Sequence, residues 1–262
     1  MTDLVLTEDH GHVRHLILNR PDKRNAFNQE LIAALHEALV ATSADPNVFV
    51  IVLRGNGVVF SAGVDLMGLG SHMAEGGIAT LRPFRRAWMD TVNLLEEMPK
   101  VSIASIHGGC FGGALETALA CDMRIMTTDT KTGLPETKLG LLPDVGGSSR
   151  LPQVVGLGRA KELILTSRII DGVEAERIGL ANRAVEPDAL EAATQELVDE
   201  LLGCSPVAMG LAKRVMDASA RPTLSTSLEM EISLNHTCMA SDDFKAGVQA
   251  FMEKRPAEFT GQ

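Results

Sequence analysis

Cysteine, long hydrophobic runs and positive charge are all scarce in this 262-residue chain. Its four cysteines form no CxxC pair, and their spacing fits neither a zinc site nor a disulfide framework. Cysteines scattered in this way are typical of small buried hydrophobic side chains in a reducing compartment. We therefore expect a cytoplasmic protein whose fold needs no disulfide bonds.

The longest stretch of continuous apolar sequence is VFVIVL, which begins at Val48. A membrane-spanning helix needs roughly 20 apolar residues, so this run predicts a core strand instead. The first ten residues, MTDLVLTEDH, carry acids and lack the apolar segment of a signal peptide. Neither a membrane helix nor a secretion signal is predicted.

Acidic residues outnumber basic ones: the chain has 34 Asp and Glu but only 24 Lys and Arg, which gives a net charge of −10. Such an acidic chain argues against nucleic acid or an anionic membrane as the main partner. A small anionic ligand remains compatible, since exposed charges are screened beyond ~8–10 Å and a few local cations can outweigh the distant excess.

Apolar periodicity alternates between strands and helices along the first two thirds of the chain. This alternation predicts an α/β core with right-handed crossovers. The glycine- and methionine-rich segment 67–80 predicts a mobile loop, and capping signals at Asp171, Ser205 and Ser241 predict a helical C-terminal third. The predicted elements are strands at 12–19, 48–54, 101–106 and 123–126, a helix opened by Phe27 or Asn28, and a helix at 114–121.

Two features lie side by side near the middle of the chain. Glycines at 108–113 join a strand to a helix, where free N–H groups suit an anion or a developing oxyanion, although tight packing would also explain them. Glu116 then follows in an otherwise apolar helix. A partly desolvated carboxylate suits acid–base chemistry, while an outward-pointing Glu116 would merely complement the helix dipole.

Two further acids, Glu136 and Asp144, lie in a loop punctuated by glycine and proline at 133–147. Acids in irregular backbone beside leucines are typical of functional sites, though helix-capping turns look similar. The segment 61–66, SAGVDL, offers small residues and backbone N–H groups. Alone it is a weak signal.

In combination these segments resemble the crotonase superfamily, also called the enoyl-CoA hydratase/isomerase family. Seven motifs occur in order over nearly the whole chain, which makes them far more specific together than any one alone. They are Asn19–Asn28, Phe60–Leu66, His107–Glu116, Ala120–Arg124, Pro135–Gly147, Gly158–Leu180 and Phe251–Lys254.

The resemblance implies an α/β fold with a spiral of ββα turns at 1–200 and a helical trimerisation region at 201–262. It implies an acyl-CoA thioester as partner, a homotrimer or dimer of trimers, no nucleic acid or membrane partner, and neither a metal nor a separate cofactor, because coenzyme A belongs to the substrate. By position, the N–H groups of Val64 and Gly113 would form an oxyanion hole. Positions that hold coenzyme A are matched by Arg24, Ala26, Ala62, Asp65, Leu66, Phe251 and Lys254, the last two commonly acting on a neighbouring subunit.

The resemblance also implies the chemistry. Glu116 and Glu136 match the two carboxylates that hydrate a 2-enoyl-CoA, Glu116 activating water and Glu136 supplying a proton to the α-carbon. Asp144 departs from the glycine of typical mitochondrial hydratases and matches a catalytic aspartate of dienoyl-CoA isomerases. Hydration is therefore the main prediction, and a double-bond shift by Glu136 and Asp144 is the alternative.

The residues give less support to three other functions. A metal site at His10, His12 and His15 is disfavoured, because alternating histidines on a strand usually form a solvated face. A hydrolase built on Ser148 or Ser149 with His107 lacks a GxSxG elbow. A non-catalytic acyl-CoA binder would have little reason to retain both Glu116 and Glu136.

Overall fold

The computed structural model describes residues 3–70, 81–220, 232–233, 235–236, 239–240 and 242–255. Strands and helices alternate through most of this range. The strands are β1 (Val5–His10), β2 (Val13–Leu18), β3 (Val50–Gly55), β4 (Val101–Ile106), β5 (Gly109–Phe111), β6 (Met123–Thr127), β7 (Lys131–Gly133), β8 (Ile170–Asp171) and β9 (Arg183–Val185). The α-helices are α1 (Gln29–Ala44), α2 (Leu81–Glu97), α3 (Gly113–Leu119), α4 (Gly147–Val155), α5 (Leu157–Thr166), α6 (Gly172–Arg177), α7 (Leu190–Leu202), α8 (Pro206–Ala220) and α9 (Asp242–Met252), with 3₁₀ helices at Pro21–Lys23, Glu136–Leu139 and Pro187–Ala189.

A six-stranded sheet in the order β1-β2-β3-β4-β6-β9 forms the centre of the fold. All neighbours pair in parallel except β1 and β2, which are antiparallel. Central strand β4 is buried at every position, as expected for a parallel strand covered on both faces. A smaller sheet, β5-β7-β8, lies beyond the carboxyl end of β4.

Local sequence accounts for the helix starts. Asn28 caps α1 with its side-chain oxygen, which accepts from the Leu31 N–H at 3.0 Å, and its extended backbone is typical of an N-cap. Asp171 caps α6 in the same way through the Glu174 N–H. The Glu174 carboxylate pairs with Arg177.

One expectation for the segments outside the core is corrected. Residues 66–70 are helical, so the prediction of a mobile loop was wrong for 67–70, and the rest of that segment lies outside the described residues. The capping role predicted for Ser241 also lies outside them. Within the described part of the chain, no helix is long and apolar enough to cross a membrane.

The parallel pairing of β3 and β4 determines where the candidate site residues that follow these strands lie. Since β3 and β4 run side by side, the segments that follow their carboxyl ends emerge at one edge of the sheet. Val64 lies in the segment after β3, and Gly113 lies after β4 and β5. A backbone bridge between Ser61 and Cys110 ties the two segments together.

Candidate active site

A cavity of about 340 Å³ opens where these segments meet the loop that contains Glu136 and Asp144. Its walls are mostly apolar, with a few convergent polar groups, as is usual for small-molecule sites. The lining residues are Ala62, Gly63, Val64, Leu66, Arg85, Phe111, Gly112, Gly113, Glu116, Pro135, Glu136, Lys138, Leu139, Leu141, Leu142, Asp144 and Phe251.

Two backbone N–H groups lie at one side of this cavity. The bridge between Phe27 and Val64 uses the Gly63 carbonyl and the Asp65 N–H, which leaves the Val64 N–H outside its hydrogen-bond pattern. Gly113 is the first residue of α3, so its N–H has no acceptor within the helix. Among the described residues, neither N–H donates a hydrogen bond.

Glycines allow the two backbones to approach each other. Gly63 has φ +91°, and a Cβ there would lie 2.5 Å from the Phe111 carbonyl oxygen and 3.7 Å from the Gly113 nitrogen. A Cβ on Gly113 would overlap the Trp88 ring. Close approach of a loop to a helix start therefore explains the glycines, and it also places both N–H groups beside the same cavity.

Glu116 is buried, with only 1% of its surface exposed, so the outward-pointing alternative is wrong. Its Oε1 accepts two backbone hydrogen bonds, from Val145 and Gly147, at 2.8 Å each. Hydrogen bonds from two N–H donors stabilise the carboxylate form and fix its orientation. Glu116 therefore presents a carboxylate of fixed orientation at the cavity wall.

Glu136 is the second carboxyl group at the cavity. Its Oε2 is buried without a hydrogen-bond partner among the described residues, and its Oε1 is so close to Gly112 that a Cβ there would come within 2.5 Å. Burial raises the pKa of Glu136 to about 7, and the nearby charge of Asp144 adds to the rise while Arg85 opposes it. Burial therefore favours the protonated form of Glu136 more than in an ordinary exposed glutamate.

Asp144 lines the same cavity and is 3% exposed. Arg85 on α2 pairs with its Oδ1 at 3.1 Å, and the Asn235 side-chain amide donates to its Oδ2. Burial raises the pKa of Asp144, whereas Arg85 and Asn235 oppose that rise. Both oxygens of Asp144 are thus engaged, unlike those of Glu136.

The residues predicted to hold coenzyme A divide into two groups. Ala62, Leu66 and Phe251 line the cavity. Phe251 comes from the same chain, because α9 packs against the 3₁₀ helix at Glu136–Leu139, where a Cβ on Gly247 would lie 2.7 Å from the Leu139 carbonyl carbon. Phe251 therefore lines the cavity of its own chain.

The other four predicted residues do not line the cavity. Arg24 is exposed, and its carbonyl accepts from the Ala62 N–H at 2.9 Å, while Ala26 is buried behind it. The Asp65 carboxylate accepts from Arg20 at 2.8 Å and from the Gly68 N–H at 3.2 Å. Lys254 is exposed beyond the end of α9.

Sequence reasoning missed three polar side chains at or beside the cavity: Arg85, Lys138 and Asn235. Arg85 had a readable signal, because it interrupts the apolar stripe of α2 formed by Leu81, Trp88 and Val92. An arginine on a buried helix face needs an acidic partner. Its partner lies 59 positions further along the chain, and no local pattern identifies it.

Comparison with known proteins identifies the family. Residues 8–262 match the enoyl-CoA hydratase/isomerase family. The chain belongs to this family. A probable enoyl-CoA hydratase of Rhizobium meliloti is 38% identical over 98% of both chains, and a crotonyl-CoA hydratase of Syntrophomonas wolfei is 33% identical over 97% of both.

A solved structure extends the match to the fold. The enoyl-CoA hydratase from Mycobacterium avium subsp. paratuberculosis superposes with a TM-score of 0.86 at 26% identity, covering 98% of each chain. The α/β crotonase-type fold implied by the motifs is thereby confirmed. In this family member, the structure places Glu116, Glu136 and Asp144 around one cavity.

Proposed function

We propose that this protein is an enoyl-CoA hydratase that adds water, with syn geometry, across the 2,3 double bond of a 2-enoyl-CoA in fatty-acid or related acyl-CoA metabolism. The observation that carries the proposal is the position of Glu116 and Glu136 on the same cavity as the backbone N–H groups of Val64 and Gly113. Kinship with a crotonyl-CoA hydratase and other hydratases supports it.

The two N–H groups would form an oxyanion hole for the thioester carbonyl. Donors that stabilise the developing negative charge also make the conjugated β-carbon more electrophilic. Such donors are worth roughly 3–4 kcal/mol each in a transition state. Val64 retains this backbone donor, while its branched side chain narrows the acyl entrance.

Glu116 would remove a proton from water as the water oxygen bonds to the β-carbon. The electron pair of the double bond would then form a new bond from the α-carbon to the proton of Glu136. Afterwards Glu116 is protonated and Glu136 is charged, and proton exchange with solvent resets both. Their different surroundings support these roles, because Glu116 accepts two N–H bonds and Glu136 has a pKa raised to about 7 by burial.

Double-bond isomerisation by Glu136 and Asp144 is the second candidate. The presence of both acids on one cavity favours it. However, the contacts with Arg85 and Asn235 stabilise the charged form of Asp144, which opposes the proton uptake that a double-bond shift would require of it. Hydration uses Glu136 without requiring Asp144 to exchange a proton, so it is the better-supported reaction.

Assembly and location complete the proposal. The protein would act as a homotrimer or dimer of trimers in the cytoplasm, with residues 201–262 as its oligomerisation region. Helix α8 supports this, because Val207, Leu211 and Val215 form an exposed apolar row at four-residue spacing. Coenzyme A would enter as part of the substrate, and the proposed reaction needs no further cofactor.

The test is the ultraviolet absorbance of crotonyl-CoA mixed with the protein. Hydration removes the conjugated thioester band, and Glu116→Gln should slow that loss by orders of magnitude while leaving affinity for butyryl-CoA nearly unchanged. Binding of crotonyl-CoA without loss of absorbance would indicate a binder and refute the proposal. An increase in long-wavelength absorbance with a 3,5-dienoyl-CoA, without hydration of crotonyl-CoA, would instead support the isomerase.

A further inference from the structure

Arg150 on α4 is buried completely, although it carries a permanent charge. Its Nε donates to Glu96 at 2.6 Å, and its Nη2 donates to Asn93 at 2.7 Å. Both partners lie on α2. The guanidinium is therefore anchored to a helix that is distant from α4 in sequence.

The remaining arm of Arg150 reaches the loop that holds the proposed base. Nη1 donates to the Val145 carbonyl at 2.9 Å, and it lies so close to Gly146 that a Cβ there would overlap it. The N–H of the same Val145 donates to Glu116 Oε1, as does the N–H of Gly147. One residue, Val145, is thus bound by Arg150 at its carbonyl and by Glu116 at its N–H.

We infer that Arg150 is a positioning residue for Glu116, which it orients through the backbone of residues 145–147 with Glu96 and Asn93 as its anchors. Arg150 does not line the cavity, so the inferred effect is indirect. The inference rests on the proposed function in so far as Glu116 is taken to be the base.

The rigid, planar fork of arginine is what this arrangement uses. A lysine ammonium would keep the charge, but as a compact group it cannot span the Val145 carbonyl, Glu96 and Asn93 together. A small misplacement of a reacting group can cost up to ~10²-fold in rate, even when the change is made away from the reacting atoms. Loss of the fork should therefore reduce kcat more than it affects binding.

The test is a double-mutant cycle with Arg150→Lys and Glu116→Gln, measured by crotonyl-CoA hydration. Arg150→Lys alone should lower kcat by about tenfold or more, while KM and the Kd for butyryl-CoA change less than about twofold. In the Glu116→Gln background the same substitution should cost less than about twofold further, because the group it positions is already lost. An equal loss in both backgrounds would overturn the inference.

Arg14→Lys is the matched control. Arg14 is also buried and pairs with two carboxylates, Asp9 and Asp45, but it lies near the amino end of β2, opposite to the edge that carries the cavity. The Arg14→Lys substitution should lower the melting temperature and leave kcat within about twofold of the wild-type value. A fall in kcat matching that of Arg150→Lys would indicate a general stability effect and contradict the inference.

Glu96→Gln keeps the test decisive if Arg150→Lys does not fold. This change retains Arg150 and weakens one of its anchors, so it should lower kcat by a few fold, again only when Glu116 is present. The cycle also separates the two claims. Wild-type turnover in Glu116→Gln would refute the proposed base. A loss of turnover in Glu116→Gln together with full activity in Arg150→Lys and Glu96→Gln would refute the positioning role alone.

Discussion

Asp144 and Arg85 form a buried ion pair in the wall of the cavity, with Oδ1 and Nη1 3.1 Å apart. The two charges act on Glu136 in opposite directions, because Asp144 raises the pKa of Glu136 and Arg85 lowers it. We therefore expect the pair to adjust the pKa of Glu136, the proposed proton donor. Asp144 would then have an electrostatic role in hydration, beside the proton-transfer role that the resemblance implies for it in an isomerase.

Substitution of either partner should move the alkaline limb of the pH–kcat profile. Asp144→Asn removes a negative neighbour and leaves Arg85 in place, so the pKa of Glu136 should fall and the limb should shift to lower pH. Arg85→Gln removes the positive neighbour, so the limb should shift to higher pH. The profiles are measured by crotonyl-CoA hydration at saturating substrate.

Shifts of the same sign in both variants would contradict this electrostatic account. Complete loss of hydration in Asp144→Asn over the whole pH range would show that Asp144 itself exchanges a proton. The exposed ion pair between Arg168 and Glu162 offers a control, because both residues lie outside the cavity. Arg168→Gln should leave the pH–kcat profile unchanged.

Glu136→Gln tests the raised pKa through protein stability. In the folded protein the pKa of Glu136 is raised from 4.5 to about 7 by burial, so its ionisation is less favourable there than in the unfolded chain. The stability associated with the protonated form is complete below about pH 4.5 and is lost as the pH rises through about 7. The wild-type protein should therefore lose stability between pH 5 and pH 8, whereas Glu136→Gln should not. The melting temperature of the variant minus that of wild type should be higher at pH 8 than at pH 5.

The same variant should lose orders of magnitude in kcat and should lack the alkaline limb near pH 7. A relative melting temperature that does not change with pH would contradict the assigned ionisation. Glu30→Gln is a suitable control, because Glu30 is exposed at the start of α1 and should give no comparable trend.

Val64→Ala tests the proposed oxyanion hole and the acyl entrance separately. The substitution keeps the backbone N–H and shortens the side chain that lines the cavity. Hydration of crotonyl-CoA should stay within a few fold, while kcat/KM for longer 2-enoyl-CoA substrates should rise. Kinetics across a chain-length series provide the measurement, and an unchanged preference would show that Val64 does not restrict the entrance.

Gly63→Ala provides the contrasting change. The added Cβ would lie 2.5 Å from the Phe111 carbonyl oxygen at a backbone φ of +91°, so the segment that carries Val64 must shift. Turnover should then fall by ~10²-fold or more, the scale associated with loss of one oxyanion donor. Wild-type turnover in a folded Gly63→Ala protein would contradict the proposed hole.

Local sequence patterns were sufficient for much of the site. An acid in the apolar helix α3 marked Glu116 as a candidate while leaving its burial open, and acids in a glycine- and proline-rich loop indicated Glu136 and Asp144. Strand β3 followed from continuous apolar sequence, and capping chemistry left Phe27 or Asn28 as the residue that opens α1. These features depend on neighbours within a few positions along the chain, so they can be predicted from a single sequence.

The partners of those acids depend on contacts between distant segments. Arg85 reaches Asp144 and Arg150 reaches Glu96 only after α2 has packed against the loop at 143–147. The position of Asp65 was matched to coenzyme A binding by resemblance, and no local pattern indicated that its side chain pairs with Arg20. Spacing along a chain does not indicate which of several buried charges will face each other.

The most direct test of the central claim is the isotopic composition of the product formed from crotonyl-CoA in oxygen-18-labelled water, analysed by mass spectrometry. A base at Glu116 that activates water predicts one labelled oxygen on the β-carbon of every product molecule. It also predicts that Glu116→Gln forms this product orders of magnitude more slowly. Turnover that yields a shifted double bond with no labelled oxygen, or undiminished labelling by Glu116→Gln, would contradict the account.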